Sequence, residues 1–189
     1  VHLNPLQELL QLEGEPSFVG LLAKLEKLIQ KSKVPVIIKE VGSGISKATA
    51  KKLLNIGVSG IDVAGAGGTS WAGVEIIRSK SENDFWDWGL PTSYCLREIY
   101  LLKKKHKFTL IGSGGINTSH DLSMAFAFGA DLVASARIIL QTLMKNGEEE
   151  VIRLILNWFE YLKKVMFLTG SKNLNELKNK KTIKKEELF

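Results

Sequence analysis

The chain has 189 residues, of which 44% are hydrophobic and 24% charged, and its formal net charge is +6. This length and apolar content are enough for one globular domain with a sizeable core. The single cysteine, Cys95, excludes an internal disulfide, no apolar run approaches the ~20 residues of a membrane span, and no secretory signal is evident, so we expect a cytoplasmic protein without a membrane partner.

The positive net charge comes largely from lysines at 103–105 and between 172 and 185. They belong to no nucleic-acid-binding module and are not interleaved with aromatic residues. We interpret both groups as solvated surfaces and expect no nucleic-acid partner.

Strand and helix patterns alternate from the start of the chain. Residues 1–4 are strand-like, and the apolar spacing in 18–33 predicts a helix with a lysine-rich outer face. The β-branched run at 35–41 predicts a strand buried on both faces. A helix over Lys47–Asn55 follows, with a serine suited to cap its start and a glycine to end it.

The alternation continues after a strand predicted at 60–64. We predict a long loop from 65 to 91, which carries Trp71, Trp86 and Trp88. The later predicted elements are a helix at 92–106, a strand at 109–113, a helix at 119–129, a strand at 131–135, helices at 137–145 and 148–168, and a short helix near 174–178.

Strict alternation of strands and helices predicts an α/β fold with a parallel sheet and right-handed crossovers. We count five βα units, whereas a closed TIM barrel, or (β/α)8 barrel, has eight. Five parallel strands left open would expose two apolar edges. We therefore predict that residues 1–170 are the C-terminal part of a TIM barrel in a longer chain, about its last five βα units, and that 171–189 form a polar tail. The alternative is a complete doubly wound domain.

Two small-residue turns follow consecutive predicted strands. They read Gly112-Ser113-Gly114-Gly115-Ile116 and Ala134-Ser135-Ala136-Arg137. Glycines let backbone N–H groups approach an anion, and a following helix adds a favourable dipole. The last two loops of a (β/α)8 barrel often hold a phosphate in this way. Alternatively, the glycines only permit a tight turn.

Polar residues stand at the predicted strand ends. Lys39 leaves a buried strand, where its ammonium suits a phosphate or an electron-rich ring, unless it is a surface lysine. Thr69 offers a hydroxyl after two glycines, although turn chemistry alone also accounts for it.

A compact polar set lies near the start of the chain. His2 and Asn4 are two apart on a strand, so they point the same way and together suit an anion. A turn after Pro5 would aim Gln7 and Glu8 to the same side. A carboxylate such as Glu8 suits Mg²⁺ that is shared with phosphate oxygens and water.

Up to about Gly170, the chain resembles the type 2 isopentenyl diphosphate isomerase family. The matching segments are His2-Leu3-Asn4-Pro5-Leu6-Gln7-Glu8, 35–42, 62–72, 88–92, 112–116 and 134–137. The segments at 2–8 and 62–72 are specific to that family, whereas the glycine turn at 112–116 is shared with many FMN barrels.

The resemblance implies a TIM barrel that interconverts isopentenyl and dimethylallyl diphosphate in isoprenoid biosynthesis, with reduced FMN and Mg²⁺. It implies no net redox change, with NADPH only priming the flavin, and a homo-oligomer that is a tetramer as in the family. By resemblance, His2 and Asn4 bind the substrate diphosphate, Gln7 is catalytic beside the isoprene carbons, and Glu8 binds Mg²⁺. The implied FMN contacts are Lys39, Thr69, Gly112, Ser113, Gly114, Gly115, Ala134, Ser135 and Ala136.

Moving the double bond requires one proton to be added and another removed. No His or carboxylate of this set has an obvious general-acid role, so the implied flavin is the expected proton carrier. One alternative is an FMN-dependent 2-hydroxy acid oxidase, a class that places a His and an Arg where this chain has 65–69. Another is an inactive, flavin-binding partial barrel. The family's first strands are absent, so we expect the isolated 189 residues to be inactive.

Overall fold

A computed structural model describes residues 1–80, 85–183 and 187. A 3₁₀ turn, Leu101–Lys104, continues the fifth of its helices. The strands are β1 (Ile37–Lys39), β2 (Gly60–Asp62), β3 (Thr109–Gly112) and β4 (Leu132–Val133). The helices are α1 (Pro5–Leu10), α2 (Leu21–Lys31), α3 (Lys47–Asn55), α4 (Trp71–Ser79), α5 (Thr92–Tyr100), α6 (Ser119–Ala127), α7 (Arg137–Asn146), α8 (Glu148–Leu168) and α9 (Leu174–Lys178).

The strands lie side by side in the order β1-β2-β3-β4, and every neighbouring pair is parallel. The first residues add a strand-like segment beside β1, because Leu3 N–H donates to Lys39 O at 2.7 Å and Lys39 N–H donates to Val1 O at 2.9 Å. A doubly wound sheet reverses its strand order, whereas a barrel adds each strand next to the previous one. The predicted alternation of five parallel segments is therefore confirmed, and the doubly wound alternative is excluded.

The helices cover one face of the sheet. Ile38, Ile61 and Leu110 are paired in register across three strands, and each is 0% exposed. On the opposite face, Ile37 is 40% exposed and Leu132 is 55% exposed. Because successive side chains of a strand alternate between faces, the second face is the one that lines the interior of a barrel.

The predicted loop at 65–91 is wrong in part, because it contains α4. The hydroxyl of Ser70 accepts a hydrogen bond from Gly73 N–H at 3.0 Å and donates one to Trp86 O at 2.7 Å, which starts the helix and ties it to the far end of the loop. Residues 81–84 of that loop lie outside the described residues. Residues 5–10 also form a helix, since proline is favourable in a first helical turn.

Other predicted elements are shorter than expected. Of the residues predicted as strands at 35–41 and 131–135, only those of β1 and β4 form regular strands. The flanking residues turn into loops at the edge of the sheet. The helix predicted at 92–106 ends as an α-helix at Tyr100. Within the described range, no helix combines the length and apolar character needed to cross a membrane.

The interpretation of both lysine groups as solvated is wrong for two residues. Lys103 Nζ lies 2.5 Å from Asp131 Oδ2, and Lys178 Nζ lies 2.6 Å from Asp131 Oδ1. The predicted short helix, α9, thereby joins the core, and its Leu177 is 1% exposed. Burial raises the pKa of Asp131, but Leu110 N–H and the two ammonium groups outweigh it and hold that pKa below its ordinary value.

We expect Lys178→Met to lower the free energy of unfolding of the intact protein by about 1–3 kcal/mol, because it removes one donor from a partly buried carboxylate. The pairing stabilises the fold above the unfolded-state pKa of Asp131 and is lost as pH falls through its lowered folded-state pKa. The deficit measured by urea unfolding should therefore shrink in acid. The exposed Lys181→Met is the matched control, and equal losses in both variants would contradict the pairing.

Candidate functional site

The carboxyl ends of the strands meet at one edge of the sheet, where a barrel places its functional groups. A cleft of about 470 Å³ lies there. It is lined by residues from the loops after β1 and β2 and from the start of α7, among them Gly42, Gly67, Gly68, Thr69 and Arg137. The fold therefore brings distant parts of the chain to one site.

The turn after β3 packs directly on the loop after β2. Gly114 and Gly115 have φ values of +92° and +75°, in the left-handed region that favours glycine. A Cβ on Gly114 would collide with the carbonyl oxygen of Gly65. A Cβ on Gly68 would lie 2.9 Å from the nitrogen of Gly115. The absence of side chains on these glycines thus allows the two segments to pack backbone to backbone.

The two small-residue turns lie side by side, as the sequence predicts. Ser135 Oγ donates to Ile116 O at 2.6 Å, which joins the turn after β4 to the turn after β3. Arg137 Nη2 donates to Asn117 Oδ1 at 3.4 Å and forms a second link.

The two turns carry backbone N–H groups of the kind that bind an anion. Within the described residues, the backbone N–H groups of Gly114, Gly115, Ser135 and Ala136 form no hydrogen bond to a protein acceptor. Helix α7 begins without a side-chain cap, whereas α6 is closed by its own capping box. Free N–H groups next to an uncapped helix N-terminus are a favourable site for phosphate. We call these four residues the phosphate cradle.

Ser113 is part of the same turn, but its hydroxyl is occupied within the protein. Its Oγ donates to Asp62 Oδ1 at 2.5 Å, and Asp62 is 7% exposed. The side chain of Ser113 therefore fixes the turn to the end of β2. Sequence reasoning missed Asp62, although its place at a strand end was a usable signal.

Lys39 and Thr69 lie at the sheet edge together with Glu40, a residue to which the sequence assigned no role. Lys39 Nζ donates to Glu40 O at 2.6 Å, and Thr69 is exposed in the cleft. The buried Glu40 carboxylate accepts hydrogen bonds from four successive backbone N–H groups, residues 41–44. Burial raises the pKa of Glu40, and these four N–H groups oppose the shift. Glu40 therefore shapes the loop that meets Thr69, where a Cβ on Gly42 would lie 3.1 Å from Thr69 O.

Helix α1 brings together three members of the N-terminal polar set, Asn4, Gln7 and Glu8, whereas His2 pairs with Lys39 at the edge of the sheet. Asn4 Nδ2 donates to Glu8 Oε1 at 2.9 Å and lies 3.4 Å from Gln7 Oε1. Glu15 N–H and the Asn4 amide hold the pKa of Glu8 below its ordinary value, burial opposes them, and the charge of nearby His2 adds to the lowering. The predicted convergence arises from a helix rather than from a simple turn after proline.

Glu8 offers a single carboxylate to a metal ion. The described residues contain no group of three or more His, Cys, Asp or Glu side chains that could hold one. Mg²⁺ commonly binds through one or two carboxylates together with substrate phosphates and water. The site therefore fits Mg²⁺ only in company with a phosphorylated substrate.

A buried carboxylate on α4 anchors this polar set. Glu75 is 4% exposed, accepts a hydrogen bond at 3.3 Å from Nε2 of Gln11, the residue that follows α1, and pairs with Arg78 at 3.2 Å. The helix that carries Gln7 and Glu8 is thereby fixed to the helix that follows Thr69. Sequence reasoning missed Glu75 because it treated this stretch as loop.

Residues 13–184 match the model of the FMN-dependent dehydrogenase family. The isopentenyl-diphosphate delta-isomerase of Pyrococcus furiosus is 42% identical over 94% of this chain and 46% of its own length. The isomerase of Chlorobium phaeobacteroides is 44% identical over 96% of this chain and 53% of its own length. The chain thus spans about half the length of these curated relatives, and the resemblance drawn from the motifs is confirmed.

Solved structures agree on the fold. A lactate oxidase from Pediococcus acidilactici superposes with a TM-score of 0.67 at 22% identity, over 92% of this chain and 43% of that one. GMP reductase from Trypanosoma brucei gives a TM-score of 0.62 at 20% identity, over 83% and 35%. At these identities the likeness shows the fold alone, and the predicted part of a (β/α)8 barrel is confirmed.

We expect Gly114→Ala to destabilise the intact protein by about 1–3 kcal/mol more than Gly147→Ala does. Both glycines have positive φ, +92° and +83°, so both substitutions carry backbone strain. Only at Gly114 does the added Cβ meet backbone, whereas at Gly147 it enters open space. Chemical denaturation of the two variants measures the difference, and equal losses would show that the turn has room to relax.

Proposed function

Because the chain belongs to the FMN-dependent dehydrogenase family, we propose that the intact protein is a type 2 isopentenyl-diphosphate delta-isomerase that uses reduced FMN and Mg²⁺. The observation that carries the proposal is one sheet edge that holds both a phosphate cradle and the Asn4–Gln7–Glu8 set. Sequence identity to named isomerases over nearly the whole chain supports it.

The phosphate cradle would hold the FMN phosphate through its four free backbone N–H groups. Thr69 lines the cleft, Lys39 ends β1 at the same edge of the sheet, and both would contact the flavin ring. When bound in its reduced form, FMN supplies a ring that exchanges protons with the substrate without net redox change. The protein's own part is to position the ring and keep it fixed.

The N-terminal set would hold the substrate. His2 and Asn4 would donate to the diphosphate, and Glu8 would bind Mg²⁺ that neutralises diphosphate charge. Asn4 already donates to Glu8 at 2.9 Å, so one proposed diphosphate ligand lies next to the proposed metal ligand. Gln7 would lie beside the isoprene carbons and orient the alkene, since an amide does not titrate near neutral pH.

The proposal also includes a reductant, a cellular compartment and an oligomeric state. NADPH would reduce the flavin only to prime it, and the intact protein would work in the cytoplasm as a homo-oligomer, a tetramer as in the family. An oxidase-like reaction on a 2-hydroxy acid has less support, because the loop at 65–69 offers no imidazole to abstract a proton and no guanidinium to bind the substrate carboxylate.

The test uses the intact, flavin-loaded protein under anaerobic conditions with NADPH and Mg²⁺. We expect proton NMR to show conversion of isopentenyl diphosphate to dimethylallyl diphosphate. Lactate and mandelate, added separately, should leave the oxidised flavin unreduced. A flavin-loaded protein that does not isomerise, or that a hydroxy acid reduces, would overturn the proposal.

We expect Glu8→Gln in the intact protein to raise the Mg²⁺ concentration needed for half-maximal rate and to leave FMN binding unchanged. The reason is that an amide has no charge to attract the cation, whereas the native carboxylate is held ionised. Titration of the rate with MgCl₂ measures this effect. Glu15→Gln, a nearby exposed change of the same kind, is the control, and an unaltered Mg²⁺ response in Glu8→Gln removes that residue from the metal site.

We expect Gln7→Ala to lower kcat by about 10²–10⁴-fold with little change in KM, because the alkene is no longer oriented for proton transfer, a step whose catalysis typically contributes that much. The diphosphate and Mg²⁺ provide most of the ground-state binding, so the lost amide matters chiefly in the transition state. Steady-state kinetics on the flavin-loaded fraction measures the effect. Gln30→Ala, an exposed change on α2, controls for handling, and an undiminished kcat in Gln7→Ala would show that this residue only shapes α1.

A further inference from the structure

Thr92, the first residue of α5, contacts the carbonyl oxygens of the turn that carries Gly114 and Gly115 of the phosphate cradle. It is 8% exposed, and its Oγ1 lies 2.6 Å from Gly114 O and 3.0 Å from Ser113 O. A hydroxyl has one proton, so these two carbonyl oxygens share a single donor. Gly65 N–H adds a second donor to Ser113 O at 3.0 Å. The carbonyl groups of Ser113 and Gly114 are therefore both held on the side of the turn that faces Thr92.

The orientation of those carbonyls determines where the neighbouring N–H groups point. In a trans peptide, the C=O of one residue and the N–H of the next are directed to opposite sides of the chain. When Ser113 O and Gly114 O face Thr92, the N–H groups of Gly114 and Gly115 face away from it. These are two of the N–H groups that lack a protein acceptor.

The contact leaves little freedom for the turn to rotate. A Cβ on Gly65 would lie 2.5 Å from the backbone N and Cα of Thr92, and a Cβ on Gly114 would collide with Gly65 O. The start of α5, the loop after β2 and the turn after β3 are thus packed backbone to backbone. Among the described residues, Thr92 is the side chain that donates to Ser113 O and Gly114 O.

We propose that Thr92 is a positioning residue that presets the phosphate cradle, so that the site binds a flavin phosphate in preference to an uncharged flavin. The inference rests on the proposed function, because the anion in question is the phosphate of FMN. It goes further by naming the group that orients the cradle and by assigning that group no contact with the ligand.

The experiment titrates the intact apoprotein with FMN and with riboflavin, which lacks the phosphate, and follows the flavin fluorescence. Thr92→Val keeps the shape of the side chain and removes the donor. We expect it to raise the Kd for FMN about tenfold, the effect of one lost hydrogen bond, and to leave the Kd for riboflavin unchanged. Thr92→Ser keeps the hydroxyl and should retain the native ratio of the two Kd values.

Two further variants make the result decisive. Thr49→Val is the control, since Thr49 is exposed on α3, far along the chain from the cradle. Thr92→Ala replaces Thr92→Val if the latter does not fold, and it is judged by the same ratio. Parallel loss of both ligands, or failure of both variants to bind either flavin, would overturn the inference, because Thr92 would then act only in folding.

The outcomes also separate this inference from the proposed function. A native protein that does not prefer FMN to riboflavin contradicts the phosphate cradle itself, and with it the proposed use of FMN. A native protein that prefers FMN, combined with an unchanged ratio in Thr92→Val, overturns the role of Thr92 alone.

Discussion

The site depends on the direct backbone contact between the loop after β2 and the turn after β3. Gly65 and Gly114 have no side chains to keep these two segments apart, and a Cβ on Gly114 would collide with Gly65 O. Once the segments touch, Gly65 N–H and the Thr92 hydroxyl hold the carbonyls of the turn. The N–H groups of Gly114 and Gly115 are then left without a protein acceptor, so the packing accounts for the proposed anion site.

Three buried carboxylates hold loops and helices in place at the same edge of the sheet. Glu40 gathers four backbone N–H groups of the loop after β1, Asp62 holds Ser113, and Glu75 joins α4 to α1. Each is buried and each has hydrogen-bond partners, as a buried polar group requires. None of the three is a proposed substrate or cofactor ligand. They determine instead where the ligating groups stand.

The two helices that the sequence did not predict, α1 and α4, also determine where the proposed ligating groups lie. Helix α1 brings Asn4, Gln7 and Glu8 together, and α4 supports α1 through Glu75. The proposed substrate-binding residues therefore rest on regular structure rather than on a free loop. Regular elements hold functional groups more exactly than loops do, which suits a reaction that depends on orientation.

The sequence by itself determined the alternation of parallel strands and helices, the two adjoining small-residue turns, and the family, because these follow from local patterns such as β-branched runs and glycine positions. The tertiary structure alone decided that Ser70 starts a helix tied to Trp86 O, that Lys178 is paired with Asp131, and that Thr92 lies behind the cradle. Each of these depends on a partner between 16 and 47 residues away along the chain. Local propensity carries no information about such a partner, because only the folded chain brings the two groups within hydrogen-bond distance.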